Sequence, residues 1–402
     1  MRVFVVEASA KGGLIHYSYH LCRALQRIGV DTTLVTSTAY ELDDMKHEFH
    51  VEKLLHLWDP RGGKGGNPIW RKVRRGIRGA QYVAEWLRLV NYLRHEKPDV
   101  VLFGEMRFAF EVRFLKMLRD SGLKLADIVH DVRAYDTSRD ATNIVLEDEG
   151  HLRQFERMYE QFNALFVHDK TNYDLFIELY KRVPPAHVHE IPLGTNEIVL
   201  EVTPTITAAE LRKQLNIADG QKVVMFFGTV TKYKGVEDLI RAFPMIHKET
   251  GARLVIAGFP AKDIDPDALK STARELGVYE HVSWLLDYVP NEHVLPMMEI
   301  SDVVALPYRA ISQSAVIQIA YACGKPVVAT RIGGLQDVVE DGQSGFLAEA
   351  ENTQSLADAC NRILANPELA GKMGERAKVL ADTRFAWKNV AERIVEAFNG
   401  LQ

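Results

Sequence analysis

The chain of 402 residues is poor in cysteine, has no long apolar run and carries no excess of positive charge. Three cysteines, Cys22, Cys323 and Cys360, are too few and too scattered for a disulfide framework or a zinc cluster, so we expect reduced packing residues. No run of 18 apolar residues occurs, and the start of the chain, MRVFVVEASAKGG, lacks the apolar core and cleavage site of a signal peptide. The sequence therefore predicts a cytoplasmic protein.

The formal charge of -5 and the pI near 6.3 argue against a nucleic-acid-binding protein, because such proteins carry an excess of basic residues. The composition, with 47% hydrophobic and 26% charged residues, is typical of a globular protein. A chain of this length exceeds what one hydrophobic core usually serves. We therefore expect two domains.

Short apolar runs, rich in β-branched residues, alternate with amphipathic stretches along the whole chain. This alternation predicts parallel strands covered by helices on both faces. The Thr-rich stretch around Pro204 separates two such series, which predicts two doubly wound α/β domains at residues 1–198 and 199–382. The runs are VFVV, DTTLVTS, DVVLFG, ADIVHD and ALFVHD in the first series, and KVVMFFG, RLVIAG, HVSWLL, DVVALP and KPVVAT in the second.

Glycine-rich loops follow the first strand of each series. Gly12 and Gly13 precede a predicted helix, where free N–H groups and the helix dipole favour an anion. The segment lacks the G-x-G-x-x-G pattern, which disfavours a nicotinamide enzyme and leaves a tight structural turn as an equal interpretation. In the second series Gly228 is followed by Lys232 and Lys234, whose ammonium groups either neutralise a diphosphate or are simply solvated.

A third loop of this kind lies in the segment YRAISQSAVIQIAYACGKPVVATRIGG, residues 308–334. Gln313, Ser314 and Ala315 begin a predicted helix whose N–H groups could hold phosphate or hydroxyl oxygens. Another glycine turn, Gly333–Gly334, follows the next strand. Because ligands of doubly wound sheets bind at the carboxyl ends of the strands, three such loops indicate a phosphorylated ligand in an interdomain cleft.

Five segments of the chain together resemble the retaining, nucleotide-sugar-dependent glycosyltransferases of the GT-B fold, family four (group 1). The resemblance covers nearly the whole chain and is most specific for residues 223–349. It implies a donor-binding C-terminal domain, an acceptor-binding N-terminal domain, a last helix (383–402) that packs back onto the N-terminal domain, and no metal or other cofactor. The segments are VHEIPLGTN, VVMFFGTVTKYKGVEDLIRAF, LVIAG, DYVPNEHVLPMMEISDVVALPY and AYACGKPVVATRIGGLQDVVEDGQSGFLAE.

Matched to that family, Gly13 corresponds to the loop that approaches the donor phosphates and His130 to a histidine near the donor sugar. Lys234 corresponds to the lysine that binds the diphosphate, so the resemblance implies that His130 and Lys234 are catalytic. Gly228 and Thr229 lie in the same donor loop, but Thr229 replaces an arginine that many members have.

The chain departs from the family at two acidic positions. Counting back from the A-x-A-x-G pattern at residues 320–324, the two glutamates of the family fall on Ile311 and Ile319. Neither isoleucine can accept a hydrogen bond from a hydroxyl group. We expect the backbone at residues 313–315 to hold the donor, with Gln318 or Asp337 supplying part of the polar contact.

Two histidine–aspartate pairs, at residues 130–131 and 168–169, end apolar runs and are expected at the carboxyl edge of the first sheet, facing the cleft. A histidine there is often only a hydrogen-bonded structural residue, and the resemblance favours His130 over His168. Glu105 and Arg107 follow another strand on the acceptor side, and we predict that they bind the acceptor.

The stretch from Arg61 to Lys97 contains ten Lys or Arg against two Glu, which leaves about -13 on the rest of the chain. Interleaved apolar residues, Trp70, Ile77, Tyr82, Trp86 and Leu89, favour an interfacial helix on an anionic membrane. A solvated basic face or a loop with ordinary core aromatic residues is the equal alternative, and nucleic acid is a weaker one. The first interpretation places the protein peripherally on the inner face of the plasma membrane.

The sequence thus predicts transfer of a sugar from a UDP- or GDP-sugar to a glycan or lipid-linked acceptor, with retention, in cell-surface polysaccharide or glycoconjugate synthesis. Two alternatives remain. A non-catalytic homologue would bind the nucleotide sugar without turnover. A sugar-nucleotide epimerase on the same fold would consume the donor without an acceptor.

Overall fold

The structure is a computed structural model that describes residues 1–56, 68–106, 108–132, 149–262 and 264–401, with side chains of the helix at Pro68 described from residue 77. Its described part contains two parallel β-sheets. The first has seven strands in the order β3-β2-β1-β4-β5-β6-β7, and the second has six in the order β10-β9-β8-β11-β12-β13. Both orders reverse beside the first strand of the sheet, which is where doubly wound folds bind ligands.

The strands form where apolar residues are buried on both faces of a sheet. All ten apolar runs predicted as strands are confirmed, and three further strands, β3, β7 and β13, were not predicted. The bounds are β1 Arg2–Glu7, β2 Asp31–Ser37, β3 His50–Leu55, β4 Val100–Phe103, β5 Lys124–Val129, β6 Ala164–His168, β7 Val188–Ile191, β8 Val223–Phe227, β9 Arg253–Ala257, β10 Val282–Leu285, β11 Val303–Leu306, β12 Val327–Thr330 and β13 Gly345–Ala348.

Fifteen α-helices cover the faces of the two sheets in the described residues. Their ends carry the expected stop and start residues: Gly251, for example, ends α8 in the left-handed conformation. The bounds are α1 Gly13–Arg27, α2 Pro68–Glu96, α3 Val112–Asp120, α4 Glu149–Tyr159, α5 Asp169–Leu179, α6 Ile198–Glu201, α7 Ala208–Gln214, α8 Val236–Thr250, α9 Pro266–Glu275, α10 Asn291–Ile300, α11 Ala315–Ala322, α12 Leu335–Val338, α13 Thr353–Leu364, α14 Pro367–Asp382 and α15 Trp387–Asn399.

The last helix, α15, packs into the core of the first sheet. Trp387, Val390, Ile394 and Phe398 on its apolar face are buried there together with side chains of α1 and β6. The segment before it is also tied to the chain that leaves the first sheet, because the N–H of Thr195 donates to the carbonyl of Phe385. The chain therefore passes twice between the two sheets, and both passages lie side by side.

Candidate active site

A cavity of about 390 Å³ lies where the carboxyl ends of the two sheets face each other. Its walls come from α1 and the end of β5 on one side, and from the loops after β8 and β11 on the other. Six of the residues predicted from the sequence line it together: Gly13, His130, Lys234, Gln313, Ser314 and Ala315.

Lys234 is the cation of the cavity wall. It lies in a 3-10 turn, Lys232–Lys234, after β8, and its Nζ lies 5.6 Å from the centre of the Tyr308 ring. In the described part of the chain no carboxylate forms an ion pair with it, and burial lowers its pKa to about 8. A half-buried ammonium group without a counter-ion is a site for an anion.

Gly228 makes room for this ammonium group. Its φ of 105° is a conformation that side chains rarely adopt, and a Cβ there would lie 3.3 Å from both Nζ of Lys234 and Cγ2 of Val316. The neighbouring Thr229 is exposed and does not line the cavity. Gly228 therefore acts through the space that it leaves, whereas Thr229 lies outside the cavity wall.

The N-terminus of α11 faces the same cavity from the second sheet. Ser314 precedes its first residue and makes no side-chain cap bond, and Gln313, Ser314 and Ala315 all line the cavity. The first N–H groups of a helix have no intrahelical acceptor and lie at the positive end of its dipole. This helix end therefore adds to the positive potential of Lys234.

The N-terminus of α1 differs, because a carboxylate already lies beside it. Gly12 has a φ of 89° and donates its N–H to Oε1 of Glu41, which also lies 2.9 Å from Nε2 of His16. Gly13 lines the cavity as the next residue. An anion at this helix end would have to approach past Glu41.

His130 lies at the end of β5 and contacts both the cavity and its own sheet. Its Nδ1 lies 3.0 Å from Nε2 of His168, and its ring meets the edge of Tyr17 at 4.7 Å between centroids. Burial lowers the pKa of His130 to about 4, so the imidazole is neutral at physiological pH. His168 is 1% exposed and is not part of the cavity wall.

The cavity contains a carboxylate, though not at the positions of the family. Ile311 lines the cavity, whereas Ile319 is buried and does not line it. Neither position supplies a carboxylate, as the sequence indicates. In the described residues the carboxylate of the wall is Asp131, which the sequence predicted at the sheet edge facing the cleft but did not assign to the donor. Although the residue is exposed toward the cavity, desolvation by the surrounding walls and the nearby Glu105 raise its pKa to about 6, against a hydrogen bond from the side chain of Ser312.

Two predicted polar residues lie outside the cavity wall. Gln318 is 1% exposed within α11, and neither atom of its amide has a hydrogen-bond partner in the part of the chain that the structure describes. Asp337 instead meets the first sheet, where its Oδ2 accepts from the N–H of Thr171 at 3.2 Å. Neither side chain lies where it would replace a glutamate at Ile311.

Asp337 belongs to a polar contact between the two sheets. Its neighbour there is Asp169, whose pKa burial and the Asp337 carboxylate raise to about 8. Nδ2 of Asn172 donates both to Oδ2 of Asp169 and to the carbonyl of Ser312, at 3.1 Å each. This contact ties α5 to the loop that carries the donor-side residues.

Only one of the two residues predicted to bind the acceptor lies among the described residues. Glu105 lines a separate small cavity of about 30 Å³ within the first sheet, beside Trp86 and Glu111. Arg107 lies outside the described residues. Glu105 still influences the main cavity through the pKa of Asp131.

The basic stretch is partly outside the described residues, which omit 57–67 and the side chains of 68–76. Trp86 and Leu89 are buried in the core, so the prediction that they form an interfacial apolar face is wrong. Packing against the sheet outweighs surface exposure for these large side chains. Ile77 is 55% exposed, as an interfacial residue would be. Among the described helices, none is long and apolar enough to cross a membrane.

Several residues of the cavity wall were not predicted from the sequence, among them Tyr17, His20, Asn196 and Trp387. Tyr17 and His20 follow Gly13 by about one and two helical turns, a spacing that could have indicated them. Trp387 lies on the last helix, which was expected to pack on the first domain; it does pack, but it also reaches the cavity. No local pattern brings Asn196 and Trp387 to α1, because both come from distant parts of the chain.

Comparison with known proteins supports the same assignment of fold. Residues 207–380 match the family of glycosyl transferases, group 1. A D-inositol 3-phosphate glycosyltransferase of Corynebacterium urealyticum is 34% identical over 195 residues, 47% of this chain and 46% of that protein. One of Corynebacterium aurimucosum is 29% identical over 393 residues, 95% of this chain and 90% of that protein. The match thus spans about half of the first relative and most of the second.

Among solved structures, Anabaena Alr3699/HepE in complex with UDP and glucose superposes with a TM-score of 0.75. The sequence identity is 20%, and the superposition covers 100% of both chains, so it concerns the fold. Residues 207–380 thus form a region that matches the group 1 glycosyl transferases, and the two facing sheets of the chain have the GT-B fold.

Proposed function

We propose that the protein transfers a sugar from a nucleotide-diphosphate sugar to a hydroxyl group of a glycan or lipid-linked acceptor, with retention at the anomeric carbon. The observation that carries the proposal is Lys234: a half-buried ammonium group without an acidic partner among the described residues. It shares one wall of the cavity between the two sheets with the N-terminus of α11. Two positive groups that converge in this way fit a diphosphate.

In this reaction the bond between the anomeric carbon and the phosphate oxygen breaks, and a bond to the acceptor oxygen forms on the same face. The proton of the acceptor hydroxyl leaves with the released nucleotide diphosphate. Negative charge therefore grows on the diphosphate in the transition state, where Lys234 and the α11 dipole stabilise it. Both groups are in place before the reaction, so little reorganisation is needed.

We propose that His130 and Asp131 contact the sugar of the donor and not its diphosphate. A neutral imidazole can donate or accept a single hydrogen bond, which suits a sugar hydroxyl and does not compete with Lys234 for the diphosphate. Asp131 is ionised above about pH 6 and can accept a hydrogen bond from a hydroxyl group. We propose that Asp131 supplies a polar contact that Ile311 cannot.

The donor is proposed to be a UDP- or GDP-sugar. The named relatives support a nucleotide-sugar donor, and the superposed Anabaena protein was solved with UDP and glucose. The role in cell-surface polysaccharide or glycoconjugate synthesis remains part of the proposal. No cofactor other than the donor is required by this mechanism.

Purified protein incubated with a panel of UDP- and GDP-sugars, with and without an acceptor extract, tests the proposal through release of free nucleotide. A transferase releases nucleotide only slowly until acceptor is present, and NMR of the product then gives the anomeric configuration. Donor consumption without acceptor and without nucleotide release would indicate an epimerase instead. An inverted product would refute retention alone.

A second candidate function is binding of the nucleotide sugar without transfer. Ile311 favours it, because this residue puts an apolar side chain into the cavity where the family has a carboxylate. Saturable binding of a nucleotide sugar, with no nucleotide released in any acceptor extract, would establish this second function. The Asp131→Asn variant separates the two, since only a transferase loses turnover.

We also propose that the basic stretch binds an anionic membrane surface, where a lipid-linked acceptor would lie. Wild type should then co-sediment with acidic liposomes more than with neutral ones, and salt should weaken the association. Replacing five basic residues by Gln should abolish it. A matched control replaces five exposed residues elsewhere, and equal sedimentation of the two variants would refute the proposal. The test set is Arg71, Lys72, Arg74, Arg75 and Arg78, and the control set is Lys213, Arg241, Lys248, Lys372 and Lys388.

A further inference from the structure

Three polar groups on the α1 side of the cavity lack a hydrogen bond of good geometry in the described part of the chain. They are the hydroxyl of Tyr17, Nε2 of His20 and Oδ1 of Asn196. Tyr17 and His20 are 6% and 1% exposed, so water does not freely solvate them. A buried polar group without a partner is costly, and such groups in a cavity wall indicate the place of a ligand.

An ion pair outside the cavity determines which ring nitrogen of His20 carries the hydrogen. Nη2 of Arg23 lies 3.0 Å from Nδ1 of His20, and because a guanidinium can only donate, Nδ1 is the acceptor. Nε2 then carries the hydrogen. Arg23 itself is held by Glu201 at 2.6 and 2.8 Å and by Glu197 at 3.3 Å, on the segment that follows β7.

All three groups are neutral at physiological pH. Burial raises the pKa of Tyr17, while burial and the Arg23 charge lower the pKa of His20 well below its usual value. A side-chain hydrogen bond with Asn196 acts against this lowering of the His20 pKa, so these two groups also contact each other. One hydroxyl, one N–H donor and one carboxamide can donate to and accept from the hydroxyl groups of a ligand, and they carry no positive charge to neutralise a phosphate.

Trp387 holds two of these groups in position. Its ring meets Tyr17 edge-on at 4.8 Å and stacks on His20 at 5.3 Å, and its Nε1–H donates to the carbonyl of Thr195 at 2.6 Å. Gly194 packs so closely on the indole that a Cβ there would overlap it. The tryptophan ring is thereby covered on its faces and acts as a support for the polar groups.

We propose that Tyr17, His20 and Asn196 form a subsite for the hydroxyl groups of a neutral, polyhydroxylated ring, such as a sugar or a cyclitol. The ring is either the donor sugar or the acceptor, and the subsite helps to select it. This proposal rests on the proposed function, because it assigns the phosphate to Lys234 on the opposite wall. Tyr17 lies against His130, so a ring bound here lies next to the reacting groups.

The test compares Tyr17→Phe with a matched control, Tyr19→Phe. Tyr19 lies on the same helix, but its hydroxyl donates to the carbonyl of Lys46 at 2.8 Å and is not part of the cavity wall. Calorimetry gives the Kd of UDP and UDP-glucose, or of GDP and GDP-mannose if wild type prefers guanine. NMR titration in the presence of the nucleotide gives the Kd of methyl α-D-glucopyranoside and of myo-inositol.

Tyr17→Phe should weaken at least one ring-bearing probe by about three- to tenfold, the loss expected for one hydrogen bond, and leave the bare nucleotide within twofold. Asn196→Ala, as a second variant, should affect the same probe. A loss confined to the nucleotide sugar assigns the subsite to the donor sugar, and a loss confined to the glucoside or inositol assigns it to the acceptor. The Tyr19→Phe control should match wild type for every probe.

The proposal is overturned if Tyr17→Phe binds every ring-bearing probe as tightly as wild type does. It is equally overturned if wild type itself binds the nucleotide sugar no more tightly than the bare nucleotide and does not bind the glucoside or inositol. It is also overturned if the bare nucleotide is weakened equally, since that indicates a structural role. Thermal unfolding verifies that the variants are folded. Wild type that binds rings but never transfers a sugar would refute the proposed function while leaving this subsite in place.

Discussion

Replacing Lys234 by Ala tests the centre of the proposed mechanism. Burial lowers the pKa of Lys234 from 10.5 to about 8, which corresponds to an unfavourable desolvation of its charge on the order of 3 kcal/mol. No carboxylate among the described residues offsets that cost, so the diphosphate of the donor must do so when it binds. Lys234→Ala should therefore lower kcat/KM at least tenfold, about 1.4 kcal/mol or more of transition-state stabilisation.

The depressed pKa of Lys234 adds a pH dependence that a purely structural lysine would not have. In the free protein the ammonium is charged below about pH 8 and becomes neutral above it, so kcat/KM should fall as pH rises through 8. Bound diphosphate raises the pKa, and kcat should therefore stay level to higher pH. The arginine of Lys234→Arg stays charged at this pH. The kcat/KM of this variant should therefore not fall as pH rises through 8, even if the different geometry of the guanidinium lowers the rate.

The assay is nucleotide release from the preferred donor at saturating acceptor, followed between pH 6 and 9.5. Lys232→Ala is the matched control, because Lys232 lies in the same 3-10 turn but does not line the cavity. It should retain the wild-type kcat/KM. Wild-type kinetics in Lys234→Ala, or an equal loss in both variants, would refute the assignment of Lys234 as the diphosphate ligand.

Three further predictions concern stability. Because Asp169 has a pKa of about 8 in the folded protein against an ordinary 3.8, its contribution to stability should fall as pH rises from 4 to 8, and Asp337→Asn should flatten that fall in urea unfolding. The contribution of His130, held neutral with a pKa of about 4, has the opposite sign, so the free energy of unfolding of wild type relative to His130→Gln should decrease as pH drops from 6.5 to 4; an unchanged difference would contradict its burial. Gly235 and Gly251 have φ of 63° and 65°, but only a Cβ at Gly235 would clash, with the carbonyl of Pro307, so Gly235→Ala should cost clearly more than the roughly 1 kcal/mol of Gly251→Ala by thermal unfolding.

Much of the fold could be predicted because each core strand is a short β-branched run between turn residues. The strands that the sequence did not indicate are of another kind. β3, HVEKLL, is largely polar and lies at the edge of its sheet, and β7, VHEI, is also an edge strand. β13 is an edge strand too. Edge strands are covered on fewer sides and therefore need fewer apolar residues, so the hydrophobic pattern identifies them less reliably; of the four edge strands, only β10 was predicted.

The donor side of the cavity could also be predicted from the sequence, because of its position relative to the strands. Gly228, Lys234 and residues 313–315 lie in loops that directly follow strands, and the fold brings such loops to one edge. The opposite wall depends on contacts between residues far apart in the chain, such as the bond from Trp387 to Thr195. The resemblance predicts that the last helix, which carries Trp387, packs on the first domain, which is correct, but it does not predict that Trp387 also lines the cavity.

The two walls of the cavity divide the recognition of a nucleotide sugar by charge. The wall formed by Lys234 and the α11 N-terminus is positive, and the opposite wall contains the neutral groups Tyr17, His20 and His130 together with the carboxylate of Asp131. A donor placed with its diphosphate on the first wall and its sugar toward the second satisfies both, whereas the reverse placement buries phosphate against groups that cannot neutralise it. Both passages of chain between the sheets contact this second wall, because Trp387 packs on Tyr17 and His20 while Glu201 holds Arg23, which in turn donates to His20.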